Sequence, residues 1–195
     1  MSAEHRVILL RHGQTEWSQS GQHTGRTDIP LTEDGRAQAK VVGPLIARLD
    51  LVQPYVLSSP RTRARDTAEL AGLVVDATTE DLAEWDYGEY EGMTTEQIRT
   101  DVPGWTVWTH PCPGGETADA VQQRADDLLG RVVGYLVQRD VVLVGHGHFS
   151  RALLARWVAL PATAGIHFGM SPGGVAVLGH EHGRRQIAAM NLTGD

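Results

Sequence analysis

With 195 residues and 41% hydrophobic content, the chain is long enough to bury one full core, so a single domain spanning residues 1–195 is expected. Its formal net charge of −7 argues against a general nucleic-acid or anionic-membrane binder, because both partners select for a basic surface. Cys112 is the only cysteine, which excludes an internal disulfide and a cysteine-based zinc site, and no apolar run is long enough to cross a bilayer.

The opening "MSAEHRVILL" carries charge where a signal peptide needs a basic start, a longer apolar stretch and a cleavage site, so a soluble, cytoplasmic protein is expected. The first strand-length run, Val7 to Leu10, ends directly in Arg11, His12 and Gly13. A helix is expected over "LTEDGRAQAKVVGPLIARL", with Thr32 as N-cap and a break or kink at Gly43 and Pro44. A strand at Tyr55 to Leu57 leads through Ser58 and Ser59 into "PRTRARDTAELAG", read as a helix with Pro60 in its first turn and Gly72 as its stop. A further strand is expected at Leu73 to Val75.

The longest helix falls in "GETADAVQQRADDLLGRVVGYLVQR", where Ala118, Val121, Ala125, Leu128, Leu129, Val132 and Val133 make one stripe. "VVLV" at 141–144 has no polar alternation, as expected of a strand covered on both faces, and "FSRALLARWVAL" follows as a helix. Strands at Val175 to Leu178 and Ile187 to Leu192, the latter interrupted by Asn191, close the chain. Strands alternating with helices indicate an α/β domain with three α/β/α layers and a mostly parallel central sheet.

In such sheets ligands sit outside the carboxyl ends of the strands. Arg11, His12 and Gly13 follow one strand; the serines and the arginines at 61, 63 and 65 follow another; Gly145, His146, Gly147 and His148 follow a third. Each piece alone has an ordinary explanation as an exposed loop or a tight bend. Together they describe an anion pocket with a nucleophile, since arginine presents a planar fork of donors to phosphate. Helical spacing prevents all three of Arg61, Arg63 and Arg65 from facing one way.

"RHGQT", "LTEDGRAQA", "SSPRTRARDTA", "LAEWDYGEYEG", "PGGET" and "VGHGHFSRAL" occur in an order that resembles the histidine phosphatase superfamily, the phosphoglycerate mutase-like group, and within it the small bacterial acid phosphatases often labelled phosphoglycerate mutases. The resemblance implies that His12 is a nucleophile carrying the phosphoryl group as phosphohistidine. It also implies that Arg11 and Arg63 bind the phosphoryl oxygens and that His146 hydrogen-bonds the transferring group. Spacing alone leaves the proton donor open among Glu84, Asp86, Glu89 and Glu91, and the resemblance selects Glu84. Ser18 stands where the mutases carry an asparagine that touches the phosphoryl group. Thr24, Gly25 and Gly147 complete the phosphate- and substrate-binding set it implies.

The resemblance further implies an inserted segment at about 92–115. There the related mutases hold the glycerate carboxylate with paired arginines, whereas this segment offers only Arg99, with Trp105 and Trp108. A phosphatase acting on small phosphomonoesters without metal or cofactor is therefore expected, with a bisphosphoglycerate-dependent mutase as the alternative. Acidic pH should favour activity, because the proton donor must start protonated. A metallohydrolase using His146 and His148 as an H-x-H pair, and a non-catalytic phosphate-binding module, are competing classes. The sequence leaves the oligomeric state open, a homodimer included.

Overall fold

The computed structural model describes residues 5–194, so Met1 to Glu4, on which part of the signal-peptide argument rests, and Asp195 lie outside the described residues. Six strands, β1 (Val7–Arg11), β2 (Tyr55–Ser58), β3 (Ala77–Thr78), β4 (Val141–Gly145), β5 (Val175–Glu181) and β6 (Arg184–Leu192), form one sheet in the order β3-β2-β4-β1-β5-β6. β1, β4, β2 and β3 pair in parallel, while β5 runs antiparallel to both its neighbours.

The absence of polar alternation in the central strands follows from two covered faces. Val7 and Leu9 of β1 and Val141 and Leu143 of β4 pack with α5 (Ala118–Tyr135) and α6 (Gly147–Trp157). Ile8, Leu10, Val142 and Val144 point the other way, onto α2 (Glu33–Ala47) and α3 (Thr62–Leu70). This gives the three α/β/α layers. Each fully buried branched side chain contributes about 1.5–3 kcal/mol, which makes the strand ends a rigid platform. Two short helices, α1 (Glu16–Ser20) and α4 (Thr95–Asp101), lie in the long connections after β1 and before α5.

Several local expectations are corrected. No strand forms at Leu73 to Val75: Leu73 and Val75 pack on the α2 and α3 layer and Val74 is exposed, so the ladder starts only at Ala77 opposite Leu57. Gly43 and Pro44 do not break α2, because Pro44 and Lys40 lie on its exposed side, where water can serve the carbonyl that the missing N–H leaves free. Pro60 precedes α3 instead of entering its first turn; the helix starts at Thr62, whose N–H donates to both oxygens of the Asp28 carboxylate at 3.0 and 3.1 Å. Val133 turns outward at 37% exposure, next to a fully buried Val132.

Gly13 and Gly35 make a reciprocal close approach between the loop after β1 and the first turn of α2. A Cβ on Gly13 would stand 2.2 Å from the Gly35 carbonyl oxygen, and one on Gly35 would stand 2.1 Å from that of Gln14. Both contacts are with backbone, which cannot rotate away. Gly35→Ala is therefore expected to cost about 1–3 kcal/mol, read as a lower urea midpoint; an unchanged midpoint would contradict this packing.

Candidate active site

The register of β1 against β4 sets Arg11 opposite Gly145, and the His12 N–H donates to the Gly145 carbonyl at 3.0 Å. His12 and His146, the residues just beyond, are thereby brought edge to face, with ring centroids 5.1 Å apart. β2 lies on the other side of β4, where Ser59 places its hydroxyl 2.8 Å from Nε2 of His146. Arg63, in the first turn of α3, is wholly buried; it donates to the carbonyls of Thr27 at 2.9 Å and of Thr24 and Gly25 at 3.3 Å.

His12 Nδ1 lies 2.7 Å from the carbonyl oxygen of Gly13. A carbonyl only accepts, so Nδ1 carries the ring proton and Nε2 keeps its lone pair. Burial, followed by the guanidinium groups of Arg63 and Arg11, holds the imidazole well below the usual histidine range. Burial with Arg63 and His12 does the same to His146. His12 is thus kept neutral, with a free Nε2 lone pair, beside two guanidinium groups.

Glu84 follows a single-turn 3-10 helix at Glu80–Leu82 and docks on the start of α6. Its Oε1 accepts the N–H groups of Trp85 at 2.9 Å and Phe149 at 2.8 Å, and its Oε2 accepts that of His148 at 2.9 Å. A helix N-terminus is a natural seat for an anionic oxygen. Three of the four in-plane lone pairs are occupied, so Oε2 has the one position left to carry a proton. Of its rivals, Asp86 pairs with Arg26 and Glu91 accepts the N–H groups of Gly25 and Thr27. The exposed Glu89 also lines no part of the cavity.

Arg11, His12, Ser18, Thr24, Glu84 and Gly147 share one cavity of about 180 Å³. Gly147 lets the Arg11 guanidinium lie close to the start of α6, since a Cβ there would stand 3.1 Å from it and displace it slightly. Ser18 completes a capping box: it receives the Thr15 N–H at 2.9 Å and gives its own proton to the Thr15 carbonyl at 3.0 Å. The Thr24 hydroxyl donates to the Gln22 carbonyl at 3.3 Å. Gly25 lies on a neighbouring cavity across Glu84, where a side chain would collide with Glu91 at 2.7 Å. Its N–H is committed to that same carboxylate.

Sequence reasoning missed His23, Tyr87 and Arg151 on the cavity wall, whereas His148, also there, entered as a strand-end residue and as half of the H-x-H pair. Nothing in strand-end position marks the first two, and Arg151 was visible only as part of "VGHGHFSRAL". Tyr87 Oη lies 2.6 Å from Nδ1 of His148, and His146 turns instead to Ser59, so the H-x-H pair faces two different partners. Trp105 and Trp108 are buried behind this wall: Trp105 packs on His23, and Trp108 on His148 and Trp85. Arg99 is exposed and donates to the Trp105 carbonyl at 2.8 Å.

Burial also lowers the His23 pKa to about 4, against the opposing pull of Glu91, and holds His148 well below the usual range. The unfolded chain protonates these histidines below about pH 6.5, whereas folded His23 does so only near 4. Stability from each is complete above pH 6.5 and declines as the pH falls, by up to about 1.4 kcal/mol per pH unit per histidine. Melting temperatures are expected to drop between pH 7 and pH 4.5, less steeply in His23→Gln; a flat profile would contradict four buried neutral imidazoles.

Residues 7–193 match the model of the histidine phosphatase superfamily (branch 1). An acid phosphatase of Mycobacterium tuberculosis is 52% identical over 190 residues, covering 97% of this chain and 94% of the relative. A sedoheptulose 1,7-bisphosphatase of Saccharomyces cerevisiae is 35% identical over 188 residues, covering 80% of this chain and 68% of the relative. The solved structure of an open reading frame of Mycobacterium tuberculosis superposes with a TM-score of 0.96 at 51% identity, covering 98% of this chain and 99% of the other.

Proposed function

The chain belongs to the histidine phosphatase superfamily as a phosphoric monoester hydrolase, and from that membership we propose a metal-independent phosphatase of the acid-phosphatase type, acting on small phosphomonoesters through a phosphohistidine on His12. One observation carries this reading. Among the described residues four buried side-chain nitrogens have no partner, and three of them are Nε of Arg11, Nε of Arg63 and Nδ1 of His146; the fourth is Nε of Arg61. Buried donors without acceptors cost roughly 1–3 kcal/mol each. Arg11 lines the cavity, while Arg63 and His146 are wholly buried beside His12 without lining it, and in this reading a phosphoryl group on His12 offers acceptor oxygens to them.

In the proposed cycle Nε2 of His12 attacks phosphorus in line while the bond to the ester oxygen breaks. Arg11 and Arg63 neutralise the equatorial oxygens. With the Ser59 hydroxyl donating to Nε2 of His146, the proton of that ring sits on Nδ1 and adds a further donor. Glu84 gives its Oε2 proton to the departing alkoxide. Water then attacks phosphorus, passes a proton to Glu84 and breaks the bond to His12, which restores both residues.

A phosphate-release panel of small esters, run with and without a chelator, tests the reading. Turnover is expected to survive exhaustive chelation, and loss of activity on chelation would point to a metallohydrolase. Incubation of 3-phosphoglycerate with a bisphosphoglycerate primer is expected to release inorganic phosphate; 2-phosphoglycerate as the main product would favour the mutase.

A further inference from the structure

Arg151 stands on the cavity wall but has no part in holding the phosphoryl group or moving its proton. It lies in the second turn of α6. Its Nε donates to the Gly165 carbonyl at 3.0 Å and one Nη2 proton goes to that of Ile166 at 3.2 Å. The guanidinium carbon lies 4.8 Å from the centre of the Trp108 ring. Two carbonyls and an aromatic face therefore fix the group before any ligand binds, so little conformational freedom is left to lose.

Among the described residues no carboxylate pairs with Arg151, and its Nη1 has no protein partner. This sets it apart from Arg26, Arg61 and Arg124 of the neighbouring cavity, which are matched by Asp86, Glu80 and Glu116. Of the other wall groups only the Glu84 carboxylate opposes its charge, and that carboxylate is shared with Arg11. His23 and His148 are held neutral and Tyr87 is held protonated by burial. Glu84 is the one wall carboxylate, and Arg11 is a second wall cation.

The size of the space limits what Arg151 can meet. About 180 Å³ lies below the range of about 300–1,000 Å³ usual for pockets that take drug-sized ligands, so a phosphoryl group with a short leaving group suits it. We propose that Arg151 is a specificity-determining residue that binds a carboxylate on the leaving group, so that short phosphorylated hydroxy acids are preferred over neutral esters of equal length. The sequence argument against a carboxylate partner considered only the 92–115 segment, where Arg99 is exposed and tied to Trp105. The cation comes from α6 instead. This inference rests on the phosphatase reading above.

The test compares phosphoglycolate with 2-hydroxyethyl phosphate, esters of the same length that differ in the carboxylate. The wild type is expected to show at least tenfold higher kcat/KM for phosphoglycolate, mainly through KM. Arg151→Met is expected to reduce kcat/KM for phosphoglycolate at least tenfold more than for the neutral ester, and Arg151→Lys to recover part of that difference. Equal kcat/KM for both esters in the wild type, or equal losses in Arg151→Met, would overturn the proposal. A third ester, ethane-1,2-diyl bisphosphate, separates the two kinds of anion: if it is preferred to phosphoglycolate and loses more in Arg151→Met, the carboxylate assignment is wrong. Failure of the phosphatase reading looks different, because the wild type would then release phosphate from none of the three.

Discussion

His12→Ala is expected to lower phosphate release by about 10⁴-fold or more, because no other group on the cavity wall is placed to take its role. His146 is edge to face with the nucleophile, but its Nε2 is held by Ser59. His148 is bound through Nδ1 to Tyr87. Removing the His12 ring also leaves the Gly13 carbonyl without its Nδ1–H donor, so the variant loses local order as well as chemistry. Rapid quenching of the wild type with a labelled ester should trap an acid-labile, base-stable phosphoryl group on the protein, absent from the variant. Turnover retained in His12→Ala would remove the foundation of the proposed cycle.

Glu84→Gln carries the second large effect, an expected loss of about 10²–10⁴-fold for alkyl esters. The amide has no proton to give at its oxygen, and its NH₂ must also face one of the three N–H groups that the carboxylate accepts. One signature separates a proton donor from a merely structural carboxylate. The loss should be much smaller for p-nitrophenyl phosphate, whose leaving group departs without protonation. Equal losses for both esters would exclude Glu84 as the acid.

The site was legible in the sequence where it hangs on strand ends. Arg11, His12 and His146 follow buried runs whose parallel pairing brings their tips together, so position after a strand stands in for position in space. Arg63 was not separable from Arg61 and Arg65 by spacing, because only the fold shows which guanidinium reaches the carbonyls of residues 24–27. Glu84 was no more distinct, since its placement depends on the start of α6, more than 60 residues away. The rest of the cavity wall was hidden for the same reason: Arg151 reads as one more polar residue of an amphipathic helix until Trp108 and the 165–166 backbone are packed around it. Failures in the fold were of another kind. At Leu73 to Val75 the apolar run is real, but helices claim it, not the sheet.

β5, the strand that runs against its neighbours, presents its beginning rather than its end at the catalytic edge. The segment entering it grips the tip of β1 from the flank opposite β4: Met170 receives an N–H from the Arg11 guanidinium, Gly174 receives the Arg11 peptide N–H, and Gly173 donates to the His12 carbonyl. A fragment ending near residue 160 would keep all the motifs that suggest the chemistry, yet lack one jaw of the vice that aims it. The last fifth of the chain is therefore working machinery rather than a tail, and an inventory of motifs is no guarantee of an assembled site.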